Sequence, residues 1–172
     1  MRDVASILKQ RAKELAHKND SQLSKENLFE LIEFKLSSER YALESCYLGE
    51  VQSVKSITKV PYLPKHIEGI VYLRGRFVSV VNLARYLQVD TDETHTKKSA
   101  LMMLSYGLNE FCILVDEVLG SSLRAKSEFE EIGLTHSFSK PELLVGVSKD
   151  ALSLIDAQKL LEEPEMKIYQ EV

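Results

Sequence analysis

From Leu28 onward the apolar and polar residues fall into many short extended runs separated by turn residues. LFELIEFKL alternates, SSER is a turn and YALES is a second run. LGEVQSVKSI continues as an extended, β-branched stretch toward Val60. VPYLP then carries two prolines, which cannot donate to an interior ladder and mark a loop held extended. In EGIVYLRGRFVSVVNL, two apolar runs, Ile70–Leu73 and Phe77–Val81, flank Arg-Gly-Arg, and Gly75 supplies a tight turn. NLARYL closes this part as a short helix or turn. After the polar stretch QVDTDETHTKKS the pattern resumes. ALMMLSY and EFCILVDEVLG form a second hairpin, SSLRAKSEFEEI is extended or mixed, and LLVGVSK and DALSLID are two more strands. A helix follows with Asp156 as its N-cap, and Pro164 ends it.

Strands at this spacing, without intervening helices, predict a mainly β protein of two similar subdomains rather than βαβ units. The expected halves are about 27–88 and 99–155, with the polar loop from Gln88 to Ser99 between them. Residues 1–26 are set apart. Val4, Ile7, Leu8, Ala12, Leu15 and Ala16 recur at helical spacing, followed by a polar linker. This amphipathic helix either packs on the body or docks into a partner's groove. Residues 164–172 form a C-terminal tail.

A formal net charge of −4 argues against general nucleic-acid affinity. No apolar run approaches the roughly 18–20 residues that span a bilayer, and the first residues lack the apolar core of a signal peptide, so a cytoplasmic location is expected. Cys46 and Cys112 each lie in an apolar run and read as reduced core residues. The histidines His17, His66, His95 and His136 show no metal-ligand spacing. There is no P-loop, dinucleotide fingerprint or nucleophile elbow. These absences point to a binding module: no catalytic residues, cofactor or metal are expected.

The run VQSV, then ITKVPYLPKHIEGIVYLRGRFVSVVNL, resembles the central signature of the CheW family of chemotaxis adaptors. Its elements stand at Val51–Val54, Val60–Pro64, Gly69–Gly75 and Val80–Ala84. FCILVDEVLG and LLVGVSKDALSLIDAQKLL are similar to the family's later strands and closing helix, so the resemblance spans about 27–163. It implies two SH3-like five-stranded β-barrel subdomains packed on each other, with N- and C-terminal helices, the N-terminal one being extra to the family. It also implies an adaptor that couples chemoreceptor tips to the regulatory domain of a CheA-type histidine kinase, recruited to membrane-associated arrays without inserting in the membrane. An adaptor of a pilus or regulatory pathway is the alternative. A small nucleic-acid-binding barrel or a hydrolase would be readings from other classes.

The partner-contact surface implied by the resemblance takes in Val51, Ser53 and Val54, then Gly69, Tyr72, Arg74 and Gly75. Ser121 is added from the second half. Arg74 matches the family's LRG arginine and is expected to reach a partner carboxylate or carbonyl; its alternative is a pair with Glu68 or Glu50 of its own domain. Arg76 lies outside the pattern and reads as solvated. The sequence departs from the family at Ser53, Tyr72, Asn82 and Ala84, where glutamate, asparagine, an acid and arginine are expected.

Overall fold

The computed structural model describes residues 28–54, 56–89, 98–131 and 139–166. The helix expected over 1–26 and the tail beyond Met166 lie outside them, as do 90–97 of the polar stretch. In chain order the strands are β1 (Leu28–Leu36), β2 (Glu39–Glu44), β3 (Leu48–Ser53), β4 (Ile67–Leu73) and β5 (Arg76–Asn82), followed by the helix α1 (Leu83–Tyr86). Then come β6 (Ala100–Tyr106), β7 (Asn109–Val115), β8 (Glu117–Ala125), β9 (Phe129–Glu130), β10 (Leu144–Ser148), β11 (Leu152–Ile155) and the helix α2 (Ala157–Glu162).

The strands form two sheets, in the orders β8-β1-β2-β11-β10-β9 and β3-β6-β7-β5-β4. The mainly β fold of two packed units is thus as the sequence pattern predicts. One sheet has a sixth strand, the two-residue β9. The division between the units differs from the expected halves at 88 and 99. The five-stranded sheet runs from β3 through β7, across the polar stretch, and the hairpin β1–β2 joins β8 to β11.

Both findings follow from one arrangement. The chain holds two similar repeats, each a hairpin, an edge strand, a covering arm, a second hairpin and a capped helix. The first hairpin of each repeat completes the sheet of the other. The pairings match: β7 is parallel to β5 as β2 is parallel to β11. The residues explain the exchange. Between them β6 and β7 present apolar side chains on both faces, so they need neighbours on both edges and a layer on both sides. Lying between β3 and β5 meets that need.

Alternation then sorts the side chains into three cores. Met102, Leu104 and Ile113 meet Phe34, Tyr41 and Leu43 in a core shared by the two sheets, sealed by Leu83 of α1 and Leu160 of α2. Leu101, Met103, Cys112 and Leu114 point the other way, with Val78 and Val80, into the five-stranded sheet's own core. Leu31, Ala42, Phe129, Leu152 and Leu154 fill that of the six-stranded sheet. Each fully buried large side chain contributes about 1.5–3 kcal/mol.

Capping repeats as well. Asn82 Oδ1 accepts a hydrogen bond from the Arg85 amide at 3.0 Å, and Asp156 Oδ1 accepts one from the Lys159 amide at 3.0 Å. Cys112 is buried, whereas Cys46 is exposed and does not belong to a core. Its apolar neighbours Ala42 and Leu43 belong to β2, but Cys46 itself sits in the short turn after that strand.

Candidate functional site

The hairpin β4–β5 pairs Leu73 with Arg76, leaving Arg74 and Gly75 as a two-residue loop. Their φ values, 48° and 83°, are both positive, as a type I′ turn requires. Glycine meets that demand at no steric cost; Arg74 is the unusual occupant. Gly69 serves a different need. Its φ is 148°, and a Cβ there would lie 2.1 Å from the Thr58 carbonyl oxygen. This close approach lets Thr58 and Ile70 exchange two backbone hydrogen bonds of 2.9 Å, so the arm ending at Ser56–Thr58 covers part of β4.

At the tip, Arg74 Nη2 lies 2.6 Å and Nε 2.7 Å from Glu50 Oε2. The own-domain pair therefore forms, with Glu50 rather than Glu68. The side chain still points outward: it is 56% exposed, against 20% for Glu50. Glu50 also accepts from Gln52. Arg76, read as solvated from the sequence, is instead paired with Glu110. In both pairs the guanidinium is the more exposed partner, so the tip presents positive charge over a partly buried acid.

Tyr72 and Phe77 are opposite each other in register, and their rings meet edge to face at 5.1 Å. They are 62% and 70% exposed. Exposed aromatic surface of this kind marks an interaction site more often than an isolated leucine does. Ser53, Tyr72 and Arg74 line one cavity of about 320 Å³ with Ser56, Thr58 and Leu101. Of the other expected contact residues, Gly69 underlies the cavity through Thr58, and Gly75 completes the tip. Val51 is exposed on the edge strand β3, while Val54 packs partly into the core of the five-stranded sheet. Ser121 lies on β8 of the other sheet, opposite Ile32, and is not among the residues around this cavity.

Sequence reading missed Phe77 and Glu110, and named Glu50 only as one of two alternative partners for Arg74. A two-residue loop at Arg74–Gly75 already places Phe77 opposite Tyr72, so the aromatic pair was available from the register. The two acids come from other strands and carry no local signal. A second cavity, about 530 Å³, lies on the far side of Phe77 and is lined by Ile70, Leu108, Phe111, Leu161 and Met166.

The departure at Asn82 keeps a structural task. While capping α1, its Nδ2 donates to Glu68 Oε1 at 3.0 Å. Arg85, one residue beyond Ala84, pairs with the same Glu68 oxygen at 2.8 Å. Among the described residues no group of histidine, cysteine and acidic side chains could hold a metal ion. No helix among them is long and apolar enough to cross a membrane.

Comparison with known proteins gives a consistent picture. The family described as CheW-like domain matches residues 30–165. The chemotaxis protein CheW of Thermotoga maritima is 29% identical over 140 residues, covering 81% of this chain and 91% of that protein. Its counterpart from Klebsiella aerogenes is 24% identical over 146 residues, covering 83% and 87%. The crystal structure of the scaffolding protein TtCheW from Thermoanaerobacter tengcongensis has the same fold. It superposes with a TM-score of 0.68 at 24% identity, over 74% of this chain and 88% of that one. With a match across most of its length, the chain belongs to the CheW-like domain family.

Proposed function

We propose that this protein is a non-catalytic adaptor of a bacterial chemosensory system, joining chemoreceptors to a CheA-type histidine kinase at a cytoplasmic, membrane-associated array. Family membership across residues 30–165 supports the adaptor role. The observation that carries the site is the β4–β5 tip. Two mostly exposed guanidiniums and an exposed aromatic pair are gathered at and beside a two-residue turn, with their partly buried acids behind them. Such a surface suits a protein partner that offers carboxylates around an apolar contact.

Arg74, Tyr72 and Gly75 form the centre of the proposed contact. Ser53 and Val51 extend it along β3, and Gly69 and Val54 support it from behind through the arm. Ser121 belongs to a separate contact on the other sheet.

The test is capture of purified partners by the immobilised chain. One is the regulatory domain of a CheA-type kinase from the same genome; the other is a soluble chemoreceptor cytoplasmic fragment. Retention of both, weakened by Arg74→Glu, is the expected result. Retention of neither overturns the adaptor reading.

A further inference from the structure

Strain, exposure and charge coincide in the loop from Lys59 to Lys65, ahead of β4. Tyr62 has a φ of 65°, in the left-handed region, directly after Pro61. Proline at the second position of a turn and a positive φ at the third are what a type II turn demands, and glycine or asparagine is the usual occupant of the third. A tyrosine there is held against the clash of its own Cβ. Its side chain gains nothing in return from its own domain. Tyr62 is fully exposed, and among the described residues nothing packs on its ring or bonds its hydroxyl. Val60, Pro61 and Pro64 are exposed beside it. Lys59 and Lys65 bracket this apolar run; both are exposed, and neither pairs with an acid among the described residues.

The loop is nonetheless fixed at both feet. Thr58 is tied to Ile70 at one. At the other, the His66 carbonyl accepts from the Asn82 amide at 2.7 Å, and His66 Nε2 meets the Glu165 carbonyl at 2.8 Å. Between the feet, Pro61 and Pro64 each restrict φ, and the Ile67 amide donates to the Pro64 carbonyl at 2.9 Å. Glycine would serve this turn with less strain, so the tyrosine is not there for the fold. A strained residue whose surroundings hold it in place, with its side chain turned out to solvent, fits a displayed contact group.

We infer that the loop Lys59–Lys65 is a second docking element, which inserts the Tyr62 ring into an apolar recess rimmed by carboxylates on the kinase regulatory domain. The inference rests on the adaptor reading and adds a contact to it. Tyrosine is among the residues that anchor protein interfaces, because it brings a large apolar area with few rotamers to fix. The two lysines set the charge of the rim that meets it. A recess belongs to a globular surface, which assigns the loop to the kinase domain of the two partners. The loop lies at the start of β4 and the Arg74 tip at its end, about 20 Å away along the strand, so the two contacts do not compete for one place.

The test is titration calorimetry of full-chain variants with the regulatory domain of a CheA-type kinase from the same genome, beside a urea melt of each. Tyr62→Gly should bind that domain about tenfold more weakly, while its urea midpoint stays level or rises. Tyr62→Asn tolerates the same φ without glycine's freedom and should lose the same affinity, which separates the missing ring from a loosened loop. Affinity for a soluble receptor fragment should not change in either. With Lys59→Gln and Lys65→Gln together, the fall in kinase affinity with added salt should become shallower. Kinase affinity equal to the parent's in Tyr62→Gly overturns the inference. So does a lowered urea midpoint in both Tyr62 variants, since the ring then belongs to the fold, and so does an unaltered salt dependence. Binding to anionic lipid vesicles that is lost in Tyr62→Gly while kinase affinity stays would assign the loop to a membrane surface instead. If the parent chain binds the receptor fragment but not the kinase domain, this inference alone falls; if it binds neither, the adaptor reading falls with it.

Discussion

Gly69→Ala tests whether the arm over β4 is built on a close backbone approach. The added Cβ would stand 2.1 Å from the Thr58 oxygen and 2.9 Å from its carbonyl carbon, where real Cβ contacts stay beyond 3.0 Å. The arm must retreat by nearly an ångström, and both backbone bonds between Thr58 and Ile70 are lost or stretched. Those bonds contribute about 0.5–1.5 kcal/mol each. Holding alanine at a φ of 148° adds about 1–3 kcal/mol of strain. With part of the strain relieved as the arm moves, the expected loss is about 2–4 kcal/mol. Gly75→Ala is the internal control. Nothing lies within 4 Å of its Cβ, so only the left-handed backbone penalty of about 1–2 kcal/mol applies. Urea denaturation followed by circular dichroism measures both. Hydrogen exchange adds a local readout: the amides of Thr58 and Ile70 should lose protection in Gly69→Ala and keep it in Gly75→Ala. If Gly69→Ala proves as mild as Gly75→Ala with those amides still protected, the close approach is not what fixes the arm.

Other consequences concern charge and thiols. Arg74→Glu sets a second carboxylate beside Glu50, yet the site is exposed, so stability should fall by no more than about 1 kcal/mol while partner affinity falls by about 2–5 kcal/mol. Arg76→Glu should match the first loss but not the second, as read by titration calorimetry beside a urea melt. The Asp150 carboxyl is held down to about 2 by the Ser148 hydroxyl and the Arg124 guanidinium. Its contribution is therefore present above the ordinary aspartate range and fades as pH falls from about 4 toward 2. Asp150 is partly exposed, so Asp150→Asn should remove less than about 1 kcal/mol at pH 7 and flatten the melting temperature between pH 4 and 2. Burial pushes the Cys112 thiol up to about 12. Ellman's reagent should thus modify only Cys46 in the native protein and both cysteines in urea.

The strands were legible because each repeats a simple local signal: alternation in β1, an Arg-Gly turn in the β4–β5 hairpin and prolines outside the ladders. Even Asp156 announced its helix. The exchange of hairpins between repeats was not legible. A hairpin such as ALMMLSY with EFCILV shows that it needs two covered faces, but not which strands provide them, and both choices satisfy the local pattern. At the site, the family signature located Arg74 and Gly75, and the turn geometry bears out their exposed position. The partners of the arginines were harder. Glu50 and Glu110 come from β3 and β7, so choosing between solvated, own-domain and intermolecular pairing required strand order. Cys46 misled because an apolar neighbourhood in sequence became an exposed turn in space. Asn82, a mismatch by pattern, keeps the capping oxygen that the helix start needs.

The central claim is that this chain couples a receptor to a kinase without chemistry of its own. The most direct measurement is autophosphorylation of a CheA-type kinase, with receptor in membrane vesicles, in the presence and absence of this chain. The account predicts that kinase activity becomes receptor-dependent only when the chain is added, that the chain alone produces no phosphorylation, and that Arg74→Glu weakens the coupling while Arg76→Glu largely preserves it. Coupling that is unchanged by omitting the chain would contradict it.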